Sequence, residues 1–424
     1  MDDIIQHLKN ILNIGVLNVN SKQLFQIALQ IEKPWFIEKI EFDESKTLHI
    51  YMKYERLFKF PCPVCGTPSP VYDSAERTWR HLNFFQYETY IHAPIPRGKC
   101  PKDGIKRIEV PWARKETGFT LLFEALVLEM VKYMAVSQVA KLFGMAQNSV
   151  WKIVRYYSND AMDKIDMFNV KSIGIDEISA KKGHKYVTIF ADASNSNVLY
   201  VTEGKDSSTV ERFADVLTKH GGNAKEVKEV SMDMSKSFQK GAKGRFEKAK
   251  IMFDHFHVTK ILKKALDDTR KSEMAEYGQL PKKSKYVILK RPENLRESEK
   301  KKLDMILSSE SKTAQVYKLI ALFENIWKYS RKAWAGLYFS RWYELVQESG
   351  IEQLKKAADS IKRHIHGILD AIVSNRNNAF LEGLNNKIRT AMRRAFGFKK
   401  LENLMAIIYL IANDQISEFL PTLS

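Results

Sequence analysis

Five short apolar segments between residues 171 and 258 constrain the fold of this chain more than any other feature. They are rich in Val, Ile, Phe and Met and are bounded by turn-forming residues, a pattern typical of β-strands. An amphipathic segment at 208–220 separates the third strand from the fourth and predicts a helix. The predicted strands span 172–178, 185–191, 197–203, 227–233 and 249–254.

Two of the predicted strands run directly into an acidic residue, Asp176 in the first and Asp233 in the fourth. A third acid, Glu382, lies in a segment with helical spacing and a basic face. Carboxylates are preferred ligands of magnesium, and two such ions roughly 3.5–4 Å apart can activate phosphodiester cleavage. Because a single acid after a strand is more often an ordinary turn residue, the pattern alone leaves both interpretations open.

Length and charge narrow the class of protein. A chain of 424 residues is long enough for two to four domains, and its formal charge of +18 with a pI near 9.5 favours a polyanionic partner, double-stranded DNA above all. The sequence contains no apolar run of about 18 residues, and its N-terminus lacks the basic start of a signal peptide. We therefore expect a cytoplasmic, nucleoid-associated protein with no membrane partner.

Three cysteines predict one structural zinc ion. Cys62-Pro-Val-Cys65-Gly has the spacing of half a zinc site, and Cys100-Pro-Lys-Asp103-Gly has the form of the second half. We expect Cys62, Cys65 and Cys100 to be ligands, with Asp103 as the fourth. The alternatives are His81 or His92 at the fourth position, or a site without metal.

Residues 137–157 have the pattern of a helix-turn-helix. Ser137 is a candidate cap for a short helix over 138–143, Gly144 supplies a turn, and a second helix follows over 147–157. Two packed helices of this kind are also common in protein cores, which is the alternative. The candidate DNA contacts on the second helix are Gln147, Asn148 and Lys152.

Residues from about 260 to 370 predict a helical insertion. The segment 260–305 contains 14 Lys or Arg residues and 8 Asp or Glu residues. An aromatic-rich stretch follows it. Its rings either pack in a core or stack on unpaired bases. Helical spacing further along puts Glu382 on the same face as Asn385 or Asn386 and two arginines. Unless this face is merely solvated, its basic residues are candidate DNA contacts: Lys387, Arg389, Arg393 and Arg394.

Four stretches resemble, in their residues and in their order, the ISL3 family of insertion-sequence transposases. They are Val-Pro-Trp-Ala-Arg at 110–114, Gly-Ile-Asp-Glu-Ile-Ser at 174–179, Asp-His-Phe-His-Val at 254–258 and Glu-Gly-Leu-Asn-Asn-Lys-Ile-Arg at 382–389. The resemblance covers residues from about 112 to 412, and Asp103 departs from it because the family typically has Cys or His there.

The resemblance implies a ribonuclease-H-like catalytic domain in which Asp176, Asp233 and Glu382 are the catalytic triad and bind two magnesium or manganese ions. It also implies a supporting role near the triad for Asp254 and His257. The order of predicted strands and helices agrees with that fold. In it, the strands that carry Asp176 and Asp233 are neighbours.

Together these observations predict a multi-domain α/β protein with a small zinc-binding N-terminal domain, a helix-turn-helix domain and a ribonuclease-H-like catalytic domain with a helical insertion. The zinc-binding domain is predicted at 1–112 and the helix-turn-helix domain at 113–165. The first part of the catalytic domain is predicted at 166–265, the helical insertion at 266–370, and the last part of the catalytic domain, with Glu382 and the C-terminal helix, at 371–424. The predicted function is binding of terminal inverted repeats, followed by metal-dependent cleavage and strand transfer, by at least a homodimer. The alternatives are a catalytically inactive DNA-binding regulator and a nuclease without joining activity.

Overall fold

The computed structural model describes residues 20–181, 185–253, 255–277, 283–374 and 379–423. The chain divides into two compact units, one of residues 1–133 with 420–424 and one of residues 134–419. This division falls after the boundary that the sequence predicts at 112, because helix α2 (Leu121–Tyr133) belongs to the first unit.

The first unit is built around a mixed sheet with strand order β1-β2-β6-β5, in which β7 pairs with β6. In β2, alternate residues face the core, so that Leu48, Ile50 and Met52 are buried. Trp112 packs edge-on against Trp35 at a centroid distance of 4.9 Å. The elements before α2 are α1 (Ser21–Ala28), β1 (Trp35–Phe42), β2 (Leu48–Tyr54), β3 (Phe60–Pro61), β4 (Pro68–Ser69), β5 (Val71–Phe84), β6 (Tyr87–Cys100) and β7 (Gly104–Arg107).

The second unit contains a five-stranded sheet with strand order β10-β9-β8-β11-β12. The strands β8, β9 and β10 are antiparallel neighbours, whereas β11 is parallel to both β8 and β12. These are the three strands, helix and alternating elements that the sequence predicts. The unit runs from α3 (Val136–Leu142) and α4 (Gln147–Lys164) through β8 (Ser172–Lys181), β9 (Lys185–Asp192), β10 (Val198–Glu203), α5 (Ser207–Lys219), β11 (Glu229–Met232) and α6 (Lys236–Arg245) to β12 (Lys250–Phe253).

Helices follow β12 up to the C-terminal part of the unit. The predicted start of the insertion at 266 lies inside the continuous helix α7, because no glycine or proline interrupts the chain there. Among the aromatic residues of this segment, Phe339 and Trp342 are buried as core residues, whereas Trp334 is exposed. The helices are α7 (His255–Tyr277), α8 (Ser284–Ile288), α9 (Glu297–Leu307), α10 (Lys312–Phe323), α11 (Lys332–Glu348), α12 (Glu352–Arg363), α13 (Ile365–Ser374), α14 (Ala379–Arg394) and α15 (Leu401–Ala412).

Candidate active site and zinc centre

Asp176 and Asp233 lie beside each other on neighbouring parallel strands. The pairing of β11 with β8 sets Ser231 opposite Gly174, and each acid is two residues further along its own segment. Because side chains alternate along an extended chain, both carboxylates are on the face of the sheet that Gly174 shares. The strands that carry the two acids are therefore neighbours in the sheet, as predicted.

Gly174 allows helix α14 to lie close against this face. A Cβ atom at Gly174 would lie 2.6 Å from Cζ of Phe380 and 3.0 Å from Cδ1 of Leu381, which is closer than side chains pack. The close approach brings the buried Asn385 to Asp176, where its amide nitrogen donates a hydrogen bond to the carboxylate. Glu382, three residues earlier on α14, is exposed toward the same region.

A cavity of about 660 Å³ collects the three predicted catalytic acids in one place. Asp176, Asp233 and Glu382 line it together with a fourth carboxylate, Glu177. Four cationic side chains also line the cavity: Lys260, Lys263, Arg291 and Arg389. A site with carboxylates and surrounding cations suits a phosphodiester, because divalent ions bind the acids and Lys or Arg bind the phosphate backbone.

Burial is the main influence on the pKa values of the two acids of β8, Asp176 and Glu177. Burial raises the pKa of Asp176, and the nearby Asp233 adds to this, although hydrogen bonds from the Glu177 backbone N–H and the Asn385 amide oppose it. Burial also raises the pKa of Glu177, against the effect of Lys205. Since a bound cation favours ionised carboxylates, the donor set fits hard divalent ions.

The acid cluster is more open than a closed metal site. Among the described residues, only the cysteine group treated below has three or more Cys, His, Asp or Glu ligand atoms that all lie within 4.8 Å of one another. Asp176, Asp233 and Glu382 thus share a cavity without reaching that separation. Room remains between them for metal ions, water and a substrate phosphate.

His257 lines the cavity as the sequence predicts, whereas Asp254 lies outside the described residues. Sequence reasoning named Arg389 but missed the other three cations of the cavity wall, Lys260, Lys263 and Arg291. Lys260 follows His257 by three residues on α7, a helical spacing that could have indicated it. Arg291 comes from the segment between α8 and α9, and no local pattern relates it to the acids.

The four predicted zinc ligands lie together in the first unit. The ligand atoms of Cys62, Cys65, Cys100 and Asp103 are all within 4.8 Å of one another. The Asp103 carboxylate oxygen is 3.3 Å from Sγ of Cys62 and 3.4 Å from Sγ of Cys100, and the sulfurs of Cys65 and Cys100 are 3.5 Å apart. These separations approach the roughly 3.8 Å edge of a tetrahedron with Zn–S distances of 2.3 Å.

Two tight turns present these ligands. Gly66 follows the first cysteine pair with a φ of 73°, and its N–H donates to the Cys62 carbonyl oxygen at 2.8 Å. In the second turn, Gly104 has a φ of 74° and pairs with Cys100 across β6 and β7. Glycine adopts this left-handed backbone at little cost.

The two alternative histidine ligands make other contacts. His81 is buried, and its Nδ1 is 2.9 Å from Oγ1 of Thr120. The Nε2 atom of His92 lies 2.8 Å from the Nδ1 atom of His49. Asp103 is therefore the residue that completes the cluster.

The helix-turn-helix consists of α3, a turn at Gly144 with a φ of 62°, and α4. Ser137 lies inside α3 rather than capping it, because the helix begins at Val136 with Ala135 as its N-cap residue and no side-chain cap. The start of α4 exposes Gln147, Asn148 and Lys152.

The opposite face of α4 is packed. Val150, Ile153 and Val154 are buried, and Oγ of Ser158 donates to the carbonyl oxygen of Ala406 in α15 at 3.0 Å. Both interpretations of the sequence thus apply to one helix: its beginning is exposed, and the remainder contributes to a core.

The basic residues predicted around Glu382 lie within α14. Lys387, Arg389 and Arg393 are exposed, and Arg389 also lines the acid cavity, whereas Arg394 is half-buried. Within the described ranges, none of the helices has the length and apolar character that crossing a bilayer requires.

The second unit combines a sheet of ribonuclease-H-like strand order with a cavity lined by acids and cations. Comparisons with known proteins give the family of the chain. A family model described as a transposase matches residues 173–408. The helix-turn-helix domain of transposase family ISL3 matches residues 108–158, and the zinc finger of transposases IS204/IS1001/IS1096/IS1165 matches residues 59–103. The chain therefore belongs to the ISL3 family of transposases.

Curated relatives agree with this assignment over most of their length. The transposase for insertion sequence element IS1001 of Bordetella parapertussis is 27% identical over 377 residues, which cover 86% of this chain and 92% of the relative. The transposase for insertion sequence element IS1557 of Mycobacterium tuberculosis is 28% identical over 424 residues, which cover 92% of this chain and 95% of the relative.

Proposed function

We propose that this transposase binds the terminal inverted repeats of its insertion sequence and cuts and joins DNA with two divalent ions held by Asp176, Asp233 and Glu382. The observation that carries the proposal is the cavity in which these acids meet, although they come from β8, the end of β11 and α14. The surrounding cations support DNA as the substrate.

Bound magnesium or manganese supplies charge stabilisation for both the attacking and the leaving oxygen of the phosphodiester. The chain holds the ligands in place: the Glu177 N–H donates to Oδ1 of Asp176 at 2.7 Å, and Asn385 donates to the other oxygen of that carboxylate. Water is the nucleophile for cleavage, and the released 3′-hydroxyl is the nucleophile for joining.

The cations of the cavity position the substrate. Lys260, Lys263, Arg291 and Arg389 line the same cavity as the acids, where they can contact a phosphate group of the substrate. Arginine and lysine contacts to phosphate fix the register of DNA without reading its sequence. Lys387, Arg393 and Arg394 extend this basic surface along α14.

DNA sequence is read elsewhere, by Gln147, Asn148 and Lys152 at the exposed start of α4. Polar side chains there can reach base edges when the second helix of the motif enters the major groove. Alanine at Gln147 or Asn148 should therefore weaken binding to terminal-repeat DNA more than binding to random DNA. A dimer or larger assembly would hold the two ends of the element together.

The zinc ribbon holds one structural zinc ion through Cys62, Cys65, Cys100 and Asp103. The compact group of three sulfurs and one carboxylate oxygen supports this donor set. Such a site contributes to stability by holding together the two turns that carry its ligands.

The test of the proposed mechanism compares cleavage with binding in Asp176→Asn, Asp233→Asn and Glu382→Gln. Each change removes one negative charge with little change in volume, so DNA binding should persist. Cleavage and joining in magnesium should fall by at least about a thousandfold, since ligands of one site act as a unit. For the same reason, a double variant should lose little more than a single one.

The matched control is Asp43→Asn, which removes a carboxylate of the first unit that is absent from the cavity lining. Its cleavage rate should equal that of the unchanged chain. Full activity of the three triad variants would refute the assignment of the triad. Specific end binding by the unchanged chain with no cleavage in either metal would instead favour a DNA-binding regulator.

A further inference from the structure

Phe396 has two unusual features at the end of the helix that carries Glu382. Helix α14 ends at Arg394, and Phe396 follows with a φ of 53°, in the left-handed region that is costly for residues other than glycine. Its side chain is 97% exposed. Packing therefore does not explain why a large aromatic residue stands at this position.

Backbone hydrogen bonds hold Phe396 in this conformation. Its N–H donates to the Arg393 carbonyl oxygen at 3.0 Å, and the Gly397 N–H donates to that of Met392 at 2.9 Å. This pair of bonds forms a Schellman motif, in which glycine is the usual residue at the position of Phe396. Residues in costly backbone conformations concentrate at functional sites, which makes the exposed ring a candidate contact residue.

The residues after Phe396 fix this turn to the second helix of the helix-turn-helix. Phe398 is 6% exposed, and its ring packs edge-on against Trp151 at a centroid distance of 5.9 Å. Arg155 donates to the Glu402 carboxylate at 2.7 Å and to the Asn403 side-chain oxygen at 2.9 Å. The turn at 395–400 thus links the helix that carries Glu382 to the helix predicted to read DNA.

The surroundings of Phe396 are basic. The segment 387–400 contains six Lys or Arg and no acid. A cavity of about 550 Å³ is lined by residues of this turn, including Lys399 and Lys400, and by Asn148 and Lys152 of α4. Because cations bind phosphates and aromatic rings stack on bases, an exposed ring in this setting fits DNA.

We propose that Phe396 is a wedge residue that unstacks a base step of the element's end DNA. The unstacking rests on DNA binding by this chain, and only its distance from the cleavage position rests on the proposed role of Glu382. At 1.5 Å per helical residue, Phe396 lies roughly 20 Å from Glu382 along the helix axis. This distance corresponds to about six base pairs of DNA at 3.4 Å each. The unstacked step should therefore lie within about six base pairs of the cleavage position.

The test uses the full chain, without added divalent metal, and duplexes of the element's end that carry single 2-aminopurine substitutions within ten base pairs of the cleavage position. Fluorescence should rise at one or two adjacent positions. Phe396→Ala should abolish the rise and weaken binding about tenfold to a hundredfold, as expected for loss of one stacking contact. Phe396→Trp should retain both.

Phe85→Ala is the matched control, because Phe85 also has a φ of 53° and is 80% exposed, but lies in the turn between β5 and β6. It should change neither fluorescence nor affinity. Phe396→Gly should lose the fluorescence rise while melting at or above the temperature of the unchanged chain, because glycine relieves the backbone strain. That result separates loss of contact from loss of fold.

Three results would overturn the proposal. The first is no fluorescence rise at any position, and the second is an equal effect of Phe396→Ala and Phe85→Ala. The third is a change in the oligomeric mass of Phe396→Ala without DNA, which would assign the ring to a contact between copies of this chain. Failure of the catalytic proposal gives a different pattern. The Asp176→Asn variant would keep the fluorescence rise whether or not the triad performs cleavage.

Discussion

The zinc cluster and the acid cluster both gather ligands from distant parts of the chain, but they differ in how closely those ligands are held. The three sulfurs and one carboxylate oxygen of the zinc cluster all lie within 4.8 Å of one another. The acids Asp176, Asp233 and Glu382 instead line a cavity of about 660 Å³ that cationic side chains share. A closed site suits a permanent structural ion, whereas an open one leaves positions for substrate and water.

The local backbone explains this difference. The zinc ligands come from two tight turns whose glycines, Gly66 and Gly104, have positive φ angles. Asp176 and Asp233 are held by the pairing of β8 with β11, whereas the position of Glu382 depends on how closely α14 approaches Gly174. The geometry of a tight turn fixes ligands that are only a few residues apart. Ligands on separately packed elements are held less closely, and we expect bound ions and DNA to complete such a site.

The largest expected effect comes from removing each metal in turn. Zinc chelation should expose the two turns, at residues 62–67 and 100–104, to protease, because a structural zinc ion contributes on the order of 10 kcal/mol where its ligands hold the fold together. Strands β5 and β6 between them should stay resistant, because they pair in the sheet and bury Trp79 and Ile91 in the core of the first unit. Magnesium removal should stop DNA cleavage and leave the protease pattern unchanged. The measurements are metal content, limited proteolysis and strand cleavage on the same samples.

The control for this experiment is readdition of each ion by itself. Zinc should restore protease resistance without restoring cleavage, and magnesium should restore cleavage only in zinc-loaded protein. The comparison between a closed and an open site would fail if the turns at 62–67 and 100–104 stayed resistant without zinc, or if magnesium removal exposed the sheet of the second unit to protease.

A smaller effect is expected from the residue that orients Asp176. Asn385→Ala removes the amide donor to this carboxylate and should lower the cleavage rate about tenfold to a hundredfold, as loss of partners behind metal ligands typically does. It should also raise the magnesium concentration needed for half-maximal cleavage. The neighbouring Asn386 is exposed, so Asn386→Ala should stay within about twofold of the unchanged chain. Equal losses in the two variants would show that Asn385 does not orient the ligand.

Much of the catalytic sheet could be predicted from local pattern. The strand predicted at 172–178 is Ser172–Lys181, and the helix predicted at 208–220 is Ser207–Lys219. These elements are delimited by alternating or helical apolar spacing and by turn residues, which are properties of the immediate sequence. That Asp176 and Asp233 are neighbours was instead expected from the ribonuclease-H-like order that the family resemblance implies.

Features that depend on contacts between elements could not be predicted. The sequence left Asn385 and Asn386 as equal candidates, because only the phase of α14 on the sheet decides which of them meets Asp176. The role of Gly174 depends on the side chain of Phe380, which is distant in sequence. Arg291 reaches the cavity from a segment between helices, so no periodic pattern relates it to the acids.

The smallest effect is expected at Asp103, the proposed fourth ligand of the zinc cluster. Asp103→Ala should weaken zinc binding only about tenfold, because a water molecule can occupy the fourth position of a site with three protein ligands. Asp103→Cys should tighten binding, since a fourth thiolate is a softer ligand that zinc accepts readily. Competition with a chromogenic chelator measures both. Asp73→Ala, which removes the partner of Arg97 outside the cluster, should leave zinc affinity unchanged. If Asp103→Ala bound zinc as tightly as the unchanged chain, Asp103 would not be a ligand, and the closed site would consist of three cysteines alone.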